Sequence, residues 1–483
     1  MTNTNQNKMT SYRWVICSLL FFATTINYLD RQVLSLTWED FIRPEFHWTN
    51  SHYGWVTGIF SLVYAIAMLF AGRIADKLDT KKGYMWSIGI WSVGACVHAL
   101  CGVATEWGIG LPDAEALRAV IDIAELISKI ALVSLTFFII ARCVLAVGEA
   151  GNFPAAIKAT AEYFPKKDRA YATSIFNAGS TIGALLAPFT IPVLAAKFGW
   201  EAAFIIIGAL GFIWMGFWQF LYKKPEHNPL VNAAELEYIN SDSADEAAAA
   251  QRAAEEAAKA PKVSLWQCFG YRQTWAFISG KAIADGVWWF YLFWMPSYLK
   301  NACGMSSTSF EFQLALGVLY LIVMISLVGG YLPTIFIEKY KMNPYAGRMR
   351  AMLIFAFFPL LALLAQPLSQ YSYWYPVVIV GIAAAAHQSW SANIFSTVGD
   401  MFPKSMIATI TGIGGMAGGV GSFGIQLGAG KLFDYAEQTN MAFMGYTGIE
   451  AGYMIAFSFC AVAYLASWSA MKAFVPKYKP IVL

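Results

Sequence analysis

The stretch INYLDRQVLSL, residues 26–36, sets Asp30 and Arg31 side by side inside an apolar run that begins near Tyr12. An Asp or Arg at the centre of a membrane-spanning helix costs roughly 2.5–3.5 kcal/mol on the insertion scale. Charges placed there need partners or a task. The rest of the chain shows that the setting is a membrane. Of 483 residues, 58% are hydrophobic, 16% aromatic and only 13% charged, where a soluble domain carries about a quarter charged. A spanning helix needs about 20 mostly apolar residues, and such runs recur near 13–36, 52–72, 83–103, 130–151, 169–195, 200–222, 273–298, 312–336, 349–366, 373–398, 405–430 and 449–474. The reading is an all-α membrane protein with twelve spans.

Loop charges orient it. Lys77, Lys81 and Lys82 follow the second span; Lys166, Lys167 and Arg169 the fourth; Lys223 and Lys224 the sixth. Lys339, Lys341, Arg348 and Arg350 follow the eighth, and Lys472, Lys477 and Lys479 the twelfth. The opposite loops hold few: Arg43, Arg118, Lys129, Lys197, Lys300 and Lys431. Basic residues accumulate on the cytoplasmic side, which puts both termini there. The polar start, MTNTNQNKMTSYRW, lacks the apolar core and cleavage site of a signal peptide, so the first span is expected to remain. A net charge of +3 suggests no nucleic-acid partner. The seven cysteines form no CxxC pair and mostly sit in apolar runs, which favours burial over disulfides or metal. No nucleotide loop, zinc signature or Ser-His-Asp motif appears, so no enzyme is indicated.

Two segments are not spans. Residues 104–129 are expected to hold an external amphipathic helix near 112–129, lying on the membrane face. Residues 223–270 include the Ala-rich SADEAAAAQRAAEEAAKA, a good helix former without an apolar face. This linker divides an N-terminal six-helix half, 1–222, from a C-terminal half, 271–483. A repeat supports the division. EYFPKKDRAYATSIFNAGSTIG from Glu162 aligns with DMFPKSMIATITGIGGMAGGVG from Asp400 at an offset of about 238 residues. Parallel six-span repeats are one design of secondary transporters, with substrate held near the midplane between the halves.

Few charges lie inside spans: Asp30 and Arg31 on the first, Arg142 and Glu149 on the fourth, Lys281 and Asp285 on the seventh, and His387 on the tenth. Arg142 and Glu149 are two turns apart on one face, about 10 Å along the helix. Lys281 and Asp285, four apart, can pair directly. Adjacent Asp30 and Arg31 point about 100° apart and must engage different partners. An arginine facing a cavity attracts an anion, and a carboxylate beside it can take a proton. Lys281 and Asp285 could equally brace neighbouring helices, and His387 could be a satisfied core histidine. The repeat offset, added to Glu149, lands on His387. Between the second and third spans, GRIADKLDTKKG (72–83) offers Gly72 for close helix approach, Asp76 as a cap or bridge, and Lys77 for the cytoplasmic face.

Gly72, Asp76 and Lys77 followed by Lys81 and Lys82 resemble the span 2–3 signature of the major facilitator superfamily, although Asp79 stands where a second glycine is usual. NYLDR on the first span and ARCVLAVGEAGNFPA (141–155) on the fourth resemble its anion:cation symporter family. WWFYLFWMPSYL (288–299), GGYLPTIF (329–336) and AAHQSWSANIFSTVGDMFPK (385–404) extend the match over nearly the whole chain. TKKGYMWSIGIWSVGA (80–95), GGYLP and AHQ look most like bacterial hexuronate transporters. The resemblance implies the major facilitator fold and a proton-coupled symporter of the inner membrane that imports glucuronate or galacturonate by alternating access. Protons are the coupling ion, with no other cofactor and no metal. The resemblance implies proton coupling at Asp30 and Glu149, carboxylate binding at Arg31 and Arg142, and a span 2 tyrosine at Tyr64. Asn177, Lys281, Trp289, Tyr291, His387 and Gln388 are added as substrate contacts, because sugar hydroxyls need amide, imidazole or phenol partners; packing explains the aromatics equally well. Gly72, Asp76 and Lys77 are expected to govern conformational switching. Expected partners are a small organic anion and the lipid bilayer, with the chain a monomer. Alternatives are a symporter of aldonates or aldarates and a sugar-acid receptor without net transport.

Overall fold

A computed structural model describes residues 9–242, 264–329 and 331–481. The N-terminal half contains α1 (Tyr12–Thr37), α2 (Asn50–Lys77), α3 (Thr80–His98), α4 (Ala124–Glu149), α5 (Lys166–Phe198) and α6 (Trp200–Leu221). The C-terminal half contains α7 (Arg272–Asn301), α8 (Phe310–Val323), α9 (Pro344–Phe357), α10 (Trp374–Met401), α11 (Lys404–Thr439) and α12 (Ile449–Phe474). Among the described residues, seven helical stretches are long and apolar enough to cross a membrane: 50–72, 124–163, 166–198, 200–221, 344–369, 374–401 and 449–474. α3 joins the helix Cys101–Ile109 through a 48° bend and with it makes a broken span. The other labelled helices differ from these in visible ways. α1 and α7 carry internal charges, α11 is glycine-rich, and α8 is short before the chain turns through Ser326–Gly329 and Leu332–Glu338.

Within the N-terminal half, α1 packs on α5 and α6, α3 on α4 and α6, and α2 on α4. Within the C-terminal half, α7 packs on α11 and α12, α8 on α10, and α9 on α10 and α12. The halves meet through α2 with α11, α5 with α8, and α1 with α7. The α2–α11 seam is tight. A Cβ on Gly54 would sit 2.6 Å from the carbonyl oxygen of Gln426, so only glycine permits this approach. Hydrogen bonds crossing between halves cluster at the end where α1 finishes and α2 begins. There Trp38 Nε1 donates to Ser297 Oγ (2.9 Å), Tyr53 Oη to the Phe293 carbonyl (2.9 Å), and the backbone N–H groups of Asn50 and Ser51 to Asp434 (2.7 and 2.8 Å). Lys300 and Ser307 both bond Asp40 at the same end.

The repeat has matching local structure. Pro165 and Pro403 are the N-caps of α5 and α11, where extended backbone and a missing N–H suit a helix start. The acidic residue three positions earlier ties back to the third helix of its half. Thr80 Oγ1 donates to Glu162 Oε1 at 2.5 Å, and Arg348 Nε to Asp400 Oδ2 at 2.7 Å.

The segment expected to form one external helix over 112–129 is built otherwise. Residues 101–109 extend α3, Gly110 turns left-handed (φ 85°), and a five-residue helix Ala114–Arg118 is capped by Asp113. Residues 124–129 already belong to α4. The short helix buries Leu117 and pairs Arg118 with the fully buried Glu45. Docking onto the α1–α2 connection replaced a free amphipathic surface. At the opposite end, the first part of the linker is held by the N-terminal half. Glu235 in the helix Ala233–Ile239 accepts the backbone N–H groups of Tyr12 and Arg13, both at 3.0 Å, and the Thr10 hydroxyl at 2.6 Å. The Ala-rich stretch at 243–260 lies outside the described residues.

Candidate substrate and proton site

α1 and α4 bring the intramembrane charges of the N-terminal half together. Arg31 donates from Nε and Nη2 to Glu149 Oε2 at 2.9 and 2.6 Å, with both side chains buried. Its guanidinium lies in an aromatic cage: ring centroids of Tyr28, Tyr64 and Trp289 are 4.8, 4.9 and 4.9 Å away, and Phe60 is 5.6 Å away. Cation–π contacts of this kind strengthen when desolvated. Trp289 comes from α7, so the cage spans both halves.

Arg142 is also buried, 5.2 Å over the Phe60 ring, yet none of its three guanidinium nitrogens has a hydrogen-bond partner among the described residues. Both carboxylate oxygens of Asp30 are likewise buried without a well-formed bond, as is Glu149 Oε1. The Trp91 indole lies near Asp30 but makes no hydrogen bond of normal geometry. Asp30 is in electrostatic reach of Arg142 and Glu149. A buried charge without a partner is costly, and an anion would complete the Arg142 guanidinium through charge-assisted hydrogen bonds. The arrangement can hold one carboxylate at Arg142 and a proton on Asp30 or Glu149.

The C-terminal half presents a different cluster. Lys281 Nζ pairs with Asp285 Oδ2 at 2.6 Å and sits 4.2 Å from the Phe395 ring centroid. His387 Nδ1 shares a 2.8 Å hydrogen bond with Tyr464 Oη, and its ring stacks on Trp288 at 5.3 Å and 9°. Adjacent Trp288 and Trp289 therefore touch one cluster each.

The anticipated residues are distributed unevenly. Arg31, Tyr64, Glu149 and Trp289 meet around one point, with Arg142 joined through Phe60 and Asp30 in electrostatic reach of Arg142 and Glu149. His387 and Lys281 lie in the second cluster, with Gln388 half-buried beside His387. Tyr291 is turned elsewhere, against Phe290 and toward Cys460 and Tyr464. Two residues beyond Trp289 on a helix, it faces another direction. Asn177 is exposed on α5. Gly72 does not bring helices together in this conformation, since an added Cβ would meet no described atom within 4 Å. Lys77 is exposed, and the Asp76 side chain lies outside the described residues. Sequence reasoning missed Tyr28, Phe60 and Trp91. Tyr28 precedes Arg31 by three residues and Phe60 precedes Tyr64 by four, spacings that put each pair on one helix face. It also missed Gln32, whose Nε2 donates to Tyr320 Oη at 2.7 Å across the halves beside this site.

The sequence profile of the Major Facilitator Superfamily matches residues 20–425. The chain belongs to the Major Facilitator Superfamily. Among curated members of this superfamily, it is 26% identical over 431 residues to the hexuronate transporter of Escherichia coli K12, covering 88% of this chain and 89% of the relative. It is 28% identical over 341 residues to the galacturonate transporter of Dickeya chrysanthemi (71% and 87%). A probable galactarate/D-glucarate transporter of Bacillus subtilis 168 is 25% identical over 464 residues (93% and 92%). The fold matches a bacterial homolog of the human lysosomal transporter Spinster, solved inward-facing and occupied, with a TM-score of 0.68 at 16% identity, covering 99% of this chain and 100% of that one. As a superfamily member the protein is a multi-pass transporter of the bacterial inner membrane and not an enzyme.

Proposed function

We infer that the protein imports sugar acids, in particular hexuronates such as glucuronate and galacturonate, by proton symport and alternating access. The observation that carries this reading is the buried guanidinium of Arg142, which stands next to the caged Arg31–Glu149 pair and has no hydrogen-bond partner among the described residues. The substrate carboxylate completes Arg142. It also draws on the Arg31 guanidinium, loosening Glu149 and favouring protonation of the carboxylates. Sugar and proton are linked by that competition, and the link is reciprocal. The aromatic faces of Tyr64 and Trp289 suit the C–H face of a sugar ring. Cross-half bonds grouped at the end expected to be external correspond to an inward-facing state of a twelve-span monomer with cytoplasmic termini. Asp76 then acts in the return to the other state, and Asp76→Asn slows uptake while binding persists; loss of binding in a folded variant would contradict this role.

Transport of aldonates or aldarates is the second reading, supported by the name of the Bacillus subtilis relative. Uptake of labelled glucuronate into sealed vesicles under an imposed pH gradient, competed with uronates, aldonates and aldarates, separates the two. Accumulation without a pH gradient or any other ion gradient would overturn symport altogether.

A further inference from the structure

The two charged clusters differ in how many cations they leave available. Arg31 is engaged by Glu149 and Lys281 by Asp285, while Arg142 has no hydrogen-bond partner among the described residues. With all six groups ionised, Asp30, Glu149 and Asp285 balance Arg31, Arg142 and Lys281. One proton and one singly charged substrate preserve that balance. A doubly charged substrate leaves an extra negative charge at membrane depth, where an uncompensated buried ion is strongly disfavoured.

Lys281 is the cation a second carboxylate would need. It lies on the same helix as Trp289, about 12 Å below it along the axis. Its charge acts on His387, which stacks on Trp288 next to the cage. Asp285 occupies it. The side chain of Asp285 is 17% exposed and that of Lys281 only 5%, so the carboxylate is the more accessible member of the pair. A second carboxylate therefore meets a like charge before it meets the ammonium.

Resting on the sugar-acid reading, we propose that Asp285, by holding Lys281 in an internal ion pair, makes this site selective for sugar acids with one carboxylate and excludes six-carbon diacids. Asp285 is a specificity residue of the C-terminal half; it holds no proton of the transport cycle in this scheme. The selectivity is a repulsive element, built against the wrong ligand as much as for the right one.

Calorimetry on the purified full chain with galacturonate and galactarate tests this. Galacturonate is expected to bind wild type roughly ten- to a hundredfold more tightly, the span of one charge-assisted contact. Asp285→Asn frees the ammonium and raises galactarate affinity by roughly tenfold, while galacturonate affinity changes less than about threefold. Adding Lys281→Met to Asp285→Asn returns galactarate to its weak wild-type level. Asp285→Ser carries the same expectation if the Asn variant does not fold. Equal affinity of wild type for both acids, or an unchanged ratio in a folded Asp285 variant, overturns the proposal and leaves sugar-acid transport standing. Binding of neither acid to wild type overturns the sugar-acid reading and the proposal together.

Discussion

The two halves repeat one architecture but treat their buried polar groups differently. In the N-terminal half, four charges gather at α1 and α4, and Arg142, Asp30 and Glu149 Oε1 have no hydrogen-bond partner among the described residues. In the C-terminal half, Lys281 closes on Asp285 and His387 on Tyr464. The offset that aligns the Phe-Pro-Lys turns also places Glu149 against His387, so a carboxylate at a break between helices corresponds to an imidazole inside the continuous α10. A buried unsatisfied polar group costs about 1–3 kcal/mol, and more when charged. A half that leaves charged groups unpaired is poised to receive something. In the C-terminal half the charged pair and the imidazole are engaged, and the unpartnered groups are neutral ones such as the Tyr291 hydroxyl. On the proposed reading, binding and protons belong to the N-terminal half.

The largest expected effect is on coupling. Asp30→Asn and Glu149→Gln mimic protonated carboxyls. Each should bind substrate but lose accumulation driven by a pH gradient, and at least one should keep exchange of labelled for unlabelled sugar. If both still concentrate glucuronate, coupling moves to Asp285 or His387 and the contrast between halves breaks. Next comes affinity. Arg142→Ala should weaken binding roughly ten- to a hundredfold, since charge-assisted hydrogen bonds contribute about 1.5–3 kcal/mol. Lys at this position should restore only part of it, because an ammonium cannot reproduce a bidentate fork. Undiminished affinity in Arg142→Ala, read by calorimetry, removes Arg142 from the site.

A smaller effect concerns the engaged groups of the C-terminal half. His387→Gln should cost about 1 kcal/mol of stability through the Tyr464 bond and leave affinity within about threefold. A hundredfold loss of binding would make His387 a substrate ligand. The smallest effect lies outside the membrane, at Glu235. Burial pushes its carboxyl up, but hydrogen bonds from Thr10, Arg13 and Tyr12 outweigh that and hold it below the ordinary glutamate value. A depressed folded value means stability that is present above the unfolded value, about 4.3, and is lost as pH falls through the folded one. Wild type should therefore melt above Glu235→Gln at pH 7, with the gap closing below about pH 4. A gap that does not change with pH would refute this linkage.

Part of the site could be read directly. NYLDR and the Arg142–Glu149 spacing marked the charges, because a charge in an apolar run stands out in one dimension. Lys281 and Asp285 were readable as a pair for the same reason, being one helical turn apart. The partner of Arg31 was not, since Glu149 is 118 residues away and either carboxylate or an anion could have met it. Nor was the aromatic cage, because Tyr28, Phe60 and Trp289 resemble ordinary membrane-helix residues until helices from both halves converge. The helix expected over 112–129 failed for a related reason. Its apolar residues signalled burial but not the surface that would bury them, and the surface proved to be the α1–α2 connection.

Periodic hydrophobicity determined the all-helical membrane class, and charge placement and a repeated Phe-Pro-Lys turn marked the buried charges and the expected division into halves. These are local or additive properties, readable wherever insertion energies and helix starts decide the outcome. Tertiary structure alone decided which charges are satisfied. It paired Arg31 with Glu149, left Arg142 open and closed Lys281 on Asp285. Satisfaction is a property of three-dimensional distance in a low-dielectric interior, where a few ångströms separate a neutral brace from a site that calls for an anion.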